Sequence, residues 1–147
     1  MSDELDDLYQ EMILDHYRNP RNAGTLPDAT GVARGDNPLC GDKIELFVRV
    51  KGGVIEDVRF RGSGCAISTA AASLMTSVVK GKSREEAEAI FGKYHGMVTT
   101  GQGGGDLGKL AVFAGVSEFP VRVKCATLAW HTLRAAIDGK RETVSTE

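Results

Sequence analysis

Cysteine is scarce in this chain: three among 147 residues, at Cys40, Cys65 and Cys125. An odd count with no Cys-x-x-Cys pair removes the signatures of a disulfide framework, a ribbon-type structural zinc site and a thioredoxin-like redox pair. Basic runs are absent as well. Lys plus Arg number 18 against 20 for Asp plus Glu, a formal net charge of -2. No cluster can track a phosphate backbone, so nucleic acid is not an expected partner. No apolar stretch reaches membrane-spanning length, and the opening Met1-Ser-Asp-Glu-Leu-Asp-Asp7 is acidic where a secretion signal is basic and then apolar. The expectation is a cytoplasmic protein without a membrane partner. The glycine-rich segment Gly101-Gln-Gly-Gly-Gly105 lacks the Lys-Ser/Thr ending of a phosphate-binding loop, which leaves it a surface loop.

What is present suits one modest core. Hydrophobic residues make up 41% of the chain, enough for a single domain over residues 1–147. Leu5, Leu8, Tyr9, Met12 and Ile13 recur at helical spacing, predicting a helix over 3–18 that Asn19-Pro20 ends. Residues 20–37 carry no periodicity and read as a loop, within which 30–34 is the candidate for a third strand. Between Asp42 and Lys51, Ile44, Leu46, Val48 and Val50 alternate with polar residues, the pattern of a half-buried strand. Gly52-Gly53 then suits a two-residue hairpin turn into a return strand over 54–60.

Arg61-Gly-Ser-Gly64 reads as a tight turn, after which Ile67, Ala70, Ala71, Leu74, Met75 and Val78 follow at helical spacing up to Gly81. Ser83-Arg-Glu-Glu86 has the form of a capping box opening a helix as far as about residues 91–94. Residues 107–116 are apolar and helical in pattern. Ser117-Glu-Phe-Pro120 breaks that run before a last helix, on which Cys125, Leu128, Ala129 and Leu133 share a face. The expected fold is α+β: a small antiparallel sheet of about three strands, helices on one face, and loops meeting helix starts at one end.

Chemistry concentrates at that end. Pro38-Leu-Cys40-Gly-Asp42 sets a thiol and a carboxylate two positions apart, where both can point to one side. Cys65 and Cys125 each precede a helical pattern, whose free amides and dipole favour thiolates. Three thiolates and one carboxylate would complete a tetrahedral zinc shell with one weaker oxygen ligand. The spacing also leaves open three buried, inert cysteines, although the Gly, Asp and Pro neighbours of Cys40 do not resemble a core. His131 falls about 120° around the helix from Cys125 and is a poor ligand for the same metal. His16 and His95 read as surface or partly packed residues, and Asp36 and Asp106 as turn residues.

Three separated motifs resemble the IscU/SufU family of iron-sulfur assembly proteins: Gly35-Asp-Asn-Pro-Leu-Cys40-Gly-Asp42, Gly62-Ser-Gly-Cys65-Ala-Ile-Ser68 and Val121-Arg-Val-Lys-Cys125-Ala-Thr-Leu-Ala-Trp130. The opening Leu8-Tyr-Gln-Glu-Met-Ile-Leu-Asp-His16-Tyr-Arg-Asn-Pro20 is similar too, so the likeness covers nearly the whole chain. Lys124 before the last cysteine, and the long interval from Cys65 to Cys125, resemble the SufU branch rather than IscU. The stretch around Phe119-Pro-Val-Arg-Val-Lys124 lacks the Leu-Pro-Pro-Val-Lys form through which IscU-type scaffolds engage an Hsp70-type chaperone.

The resemblance implies a zinc site of Cys40, Asp42, Cys65 and Cys125, and a sulfurtransferase or sulfur-acceptor role beside a SufS-type cysteine desulfurase. In the implied reaction a partner histidine takes a place on the zinc and frees Cys40, whose thiolate accepts persulfide sulfur for downstream iron-sulfur assembly proteins. The alternative is an IscU-type scaffold, with the same residues holding an iron-sulfur cluster.

Overall fold

The computed structural model describes residues 3–139 and 143–145. In chain order the elements are α1 (Asp3–Arg18), β1 (Gly31–Asn37), β2 (Asp42–Lys51), β3 (Val54–Ser63), α2 (Ala66–Val79), α3 (Arg84–Thr100), a 3₁₀ stretch (Gly108–Glu118), α4 (Pro120–Ile137) and β4 (Thr143–Ser145). The sheet order is β3-β2-β1-β4. The first three strands are antiparallel neighbours and β4 runs parallel to β1. The α+β architecture matches the sequence pattern, and the sheet gains a fourth, short strand that makes it mixed.

The β2–β3 hairpin forms as its alternation dictates. Leu46, Val48, Val58 and Phe60 turn inward, while Gly52 and Gly53 both take positive φ, at 61° and 79°, as a tight two-residue turn requires. β3 runs three residues further than its apolar pattern, so the segment read as a turn is the end of a strand. β1 spans 31–37 rather than 30–34, and its sequence hides it. The inward positions are Gly31, Ala33, Gly35 and Asn37, because α4 lies directly on them. A Cβ at Gly31 would overlap the Ala136 carbonyl, and one at Gly35 the Thr132 hydroxyl. Strand and helix approach too closely here for the side chains that announce a strand.

The helices cover one face of the sheet, α4 over β1 and β2, and α2 beside β3 and against α1. On α1 it is Tyr9, Met12 and Ile13 that meet the core, whereas Leu8 is exposed. The opposite sheet face is polar, with Glu45 reaching Arg61 at 2.7 Å and Arg34 at 3.2 Å. Such exposed pairs contribute little stability, about 0–1 kcal/mol each. At the centre of the core Trp130 stacks between Phe91 (5.7 Å) and Tyr94 (5.1 Å). The buried Tyr94 hydroxyl donates to the Ala126 carbonyl at 2.7 Å, which ties α3 to α4.

Two helix boundaries differ from the sequence reading. The capping box at Ser83 and Glu86 forms, but α3 continues through His95 to Thr100 and ends on Gly101 in the left-handed region. Pro120 is the first residue of α4 rather than a mere breaker, its missing N–H costing nothing at a helix start. That shift moves Cys125 into the second turn.

Candidate metal centre

The end of the sheet where β1 hands over to β2 carries the reactive groups. Asn37 and Asp42 face each other as the closing pair of the two strands. The connecting turn brings the Cys40 N–H onto the Asn37 carbonyl at 3.2 Å, and Gly41, at φ 71°, reverses the chain. The result separates neighbours in sequence by environment: Cys40 is exposed and Asp42 fully buried, at 0%.

Asp42 is held from two sides. Its Oδ1 accepts the Cys65 backbone N–H at 2.9 Å, and its Oδ2 accepts Asn37 Nδ2 at 3.1 Å. The first bond exists because residue 64 is glycine. A Cβ at Gly64 would stand 2.6 Å from Asp42 Oδ1, nearer than real Cβ contacts come. Gly64 is therefore a cradle for a carboxylate as much as an approach to a helix.

Cys65 is the N-cap of α2, as its position before the helical pattern suggested. Its Sγ accepts the Ser68 N–H at 3.4 Å. A proton shared from the Cys125 thiol, with the Ser68 and Ile67 amides, brings the Cys65 thiol down to about 7, against the opposing effects of burial and the Asp42 carboxylate. Cys125 goes the other way. As donor to Cys65, and buried beside Asp42 and Cys40, it is pushed far above an ordinary thiol. The sequence reading gave Cys125 the help of a helix start. Its place in the second turn of α4 withdraws that help, since those amides are already engaged within the helix.

The ligand atoms of Cys40, Asp42 and Cys125 lie within 4.8 Å of one another, so these three could hold one metal ion. Cys125 Sγ sits 3.3 Å from Cys40 Sγ. Cys65 stands beside this trio, its sulfur shared between the Cys125 thiol and the Ser68 amide in the first turn of α2. Residues missed by sequence reasoning are Asn37, whose Nδ2 also donates to Cys125 Sγ at 3.4 Å, and Gly64. The histidines stay apart from the site. His16 is buried, with Nδ1 2.7 Å from Ser73 Oγ. His95 and His131 pack edge-on to Phe91 between α3 and α4.

An open groove of about 640 Å³ leads from the thiols along Ile67, Phe119, Pro120, Val121 and Arg122. Phe119 and Val121, which line it, are 50% and 49% exposed, and Leu39, the neighbour of Cys40 in sequence, is 60% exposed. Among the described residues no helix is long and apolar enough to cross a membrane.

The sequence profile of the NifU-like N terminal domain matches residues 8–144. This chain belongs to the NifU-like N-terminal domain family. Among its relatives, the zinc-dependent sulfurtransferase SufU of Bacillus subtilis (strain 168) is 44% identical over 135 residues, covering 90% of this chain and 91% of SufU. The iron-sulfur cluster assembly scaffold protein IscU of Streptococcus pyogenes serotype M1 is 43% identical over 136 residues, covering 91% and 85%. A crystal structure of a candidate iron-sulfur cluster assembly scaffold for the SUF system, from Fervidobacterium islandicum AW-1, superposes with a TM-score of 0.82. It is 34% identical and covers 86% of this chain and 94% of that one. The IscU/SufU resemblance read from three motifs is thus matched over 86–91% of the chain.

Proposed function

We propose that this NifU-like chain is a single-domain, zinc-dependent sulfur acceptor of iron-sulfur cluster assembly, which takes persulfide sulfur onto Cys40 from a SufS-type cysteine desulfurase in the cytoplasm. The observation that carries the reading is an exposed thiol, Cys40, within 4.8 Å of a buried carboxylate and a buried thiol, in a chain so similar to the B. subtilis sulfurtransferase.

The donor set fits zinc. Thiols from Cys40 and Cys125 match its softness, Asp42 supplies a weaker and more exchangeable oxygen, and Cys65 stands beside them to complete four. When bound, zinc keeps its cysteine ligands deprotonated at neutral pH. The chain's own residues do the rest. The Cys40 thiolate attacks the terminal sulfur of the donor's persulfide. A new S–S bond forms on Cys40 as the donor's S–S bond breaks, the transferred sulfur keeps its proton, and the donor cysteine leaves as a thiolate, with no net oxidation. Asp42 is fixed by Cys65 N–H and the Asn37 amide, while the exposed Phe119 and Val121 of the groove give the donor an apolar margin to dock on. The sulfur carried on Cys40 then passes to downstream iron-sulfur assembly proteins.

The test is sulfide release from cysteine by a SufS-type desulfurase, with and without this protein, zinc content measured in parallel. Wild type should stimulate release, and Cys40→Ala should stay folded and lose the stimulation. A Cys40→Ala protein that stimulates like wild type would end the acceptor role. A second reading, a scaffold for a cluster, is supported by the comparable identity to S. pyogenes IscU. Visible absorbance of the purified protein together with iron and zinc analysis separates the two.

A further inference from the structure

Asn37 touches two of the groups assigned to the metal without being a ligand. It closes β1 opposite Asp42 and is fully buried, at 0%. One terminal atom of its amide, Nδ2, serves both Asp42 Oδ2 at 3.1 Å and Cys125 Sγ at 3.4 Å. The other, Oδ1, is buried and has no hydrogen-bond partner among the described residues. The carboxylate decides this orientation. It only accepts, so the amide must present nitrogen to it and leave the oxygen unpaired.

An unpaired buried oxygen is a standing cost that needs a reason. Closing the strand pair is not one. A leucine has nearly the shape of asparagine and brings no polar atom, and the next inward pair of the two strands, Gly35 and Ile44, is apolar. What only an amide supplies here is a two-proton donor placed between a carboxylate and a sulfur that come from elements 83 residues apart in sequence, Asp42 and Cys125.

We propose that Asn37 is a positioning residue of the metal centre: its amide grips the Asp42 carboxylate and the Cys125 sulfur together, so that both present their remaining lone pairs to one cation. The proposal rests on the metal-centre reading above. A neutral donor at this place stabilises two neighbouring anionic ligands without adding charge, and it faces the ligands from outside the trio. Groups of this kind orient ligands and tune affinity, and their loss typically weakens metal binding by about 10–100-fold.

The experiment measures zinc affinity by competition with a chromophoric chelator for wild type, Asn37→Ala and the near-isosteric Asn37→Leu. Cobalt(II) is loaded in parallel, and far-ultraviolet circular dichroism follows the metal-free proteins. Both variants should keep the metal-free fold, bind zinc about 10–100-fold more weakly, and shift the thiolate-to-cobalt charge-transfer band, because a sulfur has lost its N–H donor. Zinc affinity within twofold of wild type and an unmoved cobalt band overturn the proposal. So does loss of helical signal in both variants without metal, which makes the amide a folding element. Wild-type protein that binds no zinc in the same assay sinks the metal-centre reading itself, before any variant is compared.

Discussion

Gly64→Ala isolates the approach of the Asp42 carboxylate to the start of α2. Gly64 is not among the glycines with positive φ, so alanine meets no backbone penalty there. The obstacle is spatial: the new methyl would lie 2.6 Å from Asp42 Oδ1 and 3.2 Å from its Cβ and Cγ, where ordinary contact begins at 3.4 Å. The carboxylate must withdraw by about 0.8 Å, and it is short, fully buried and bonded on both oxygens. Withdrawal breaks the 2.9 Å bond from Cys65 N–H, a charge-assisted bond worth about 1.5–3 kcal/mol. Reduced freedom of the unfolded chain returns about 0.4–1 kcal/mol. The net loss is about 0.5–2.6 kcal/mol, which at roughly 2–4 °C per kcal/mol lowers the melting temperature by about 1–10 °C. Moving the only oxygen of the proposed ligand set should also weaken zinc by at least the 10–100-fold typical of lost ligand support.

Calorimetry of the metal-free protein and chelator competition read the two effects separately. Gly92→Ala is the control: exposed on α3 with nothing near its added methyl, it should gain about 0.5–1 kcal/mol from helix propensity. A Gly64→Ala protein that melts with wild type and keeps its zinc affinity would refute the account of how Asp42 is held.

Tyr94→Phe removes the hydroxyl from the Ala126 carbonyl and should cost about 0.5–1.5 kcal/mol, read as a drop of about 1–6 °C in melting temperature; an unchanged melt would mean that this link between α3 and α4 carries no weight. Burial first, and the Arg21 charge second, hold the His16 pKa below 6.5. The folded protein therefore resists protonation that the unfolded chain accepts, so stability is fully present above about pH 6.5 and declines as pH falls, by at most about 1.4 kcal/mol per unit for this group. Thermal melts at pH 7.5 and 5.5 should show wild type losing more than His16→Asn, and equal losses would contradict the assignment.

Much of this fold is written in local pattern. The β2 alternation, the Gly52-Gly53 turn and the Ser83 capping box each form as their residues suggest, because each depends on neighbours in sequence. β1 is legible only as the candidate segment 30–34, because its inward face is Gly31, Ala33, Gly35 and Asn37, a pattern set by α4 a hundred residues away. β4 is three residues of edge pairing with little sequence signal of its own. His16 gave no sign of burial because its partner, Ser73, is 57 positions distant. At the site, cysteine and aspartate positions were legible from residue type and neighbours. Asn37 and Gly64 were not, since an Asn before Pro and a Gly before a helix are ordinary loop residues until a carboxylate is placed between them. The environment of Cys125 was misjudged for one reason. Pro120 ends helices and also begins them, and only the second role puts five residues of α4 ahead of the cysteine.

The environments of the three cysteines assign their roles more sharply than their chemistry does. Cys125 lies in the second turn of α4, 1% exposed, among the core residues of that helix. Drawing its sulfur out to meet a partner would move a packed helix and open a void, at a cost of kcal/mol for each buried group displaced. Cys65 caps α2, and withdrawing its sulfur would leave the Ser68 amide without its partner. Cys40 carries neither burden. It sits on a four-residue turn, exposed, tied by one backbone bond to Asn37 and by the 3.3 Å thiol contact from Cys125, and its side chain can leave at the loss of that one weak sulfur contact while Asp42, Cys65 and Cys125 stay where the fold holds them. If the proposed site keeps its ion and lends one sulfur to a donor protein, it needs that division between anchored and free groups, and of the three cysteines Cys40 is the one whose surroundings fit the free role.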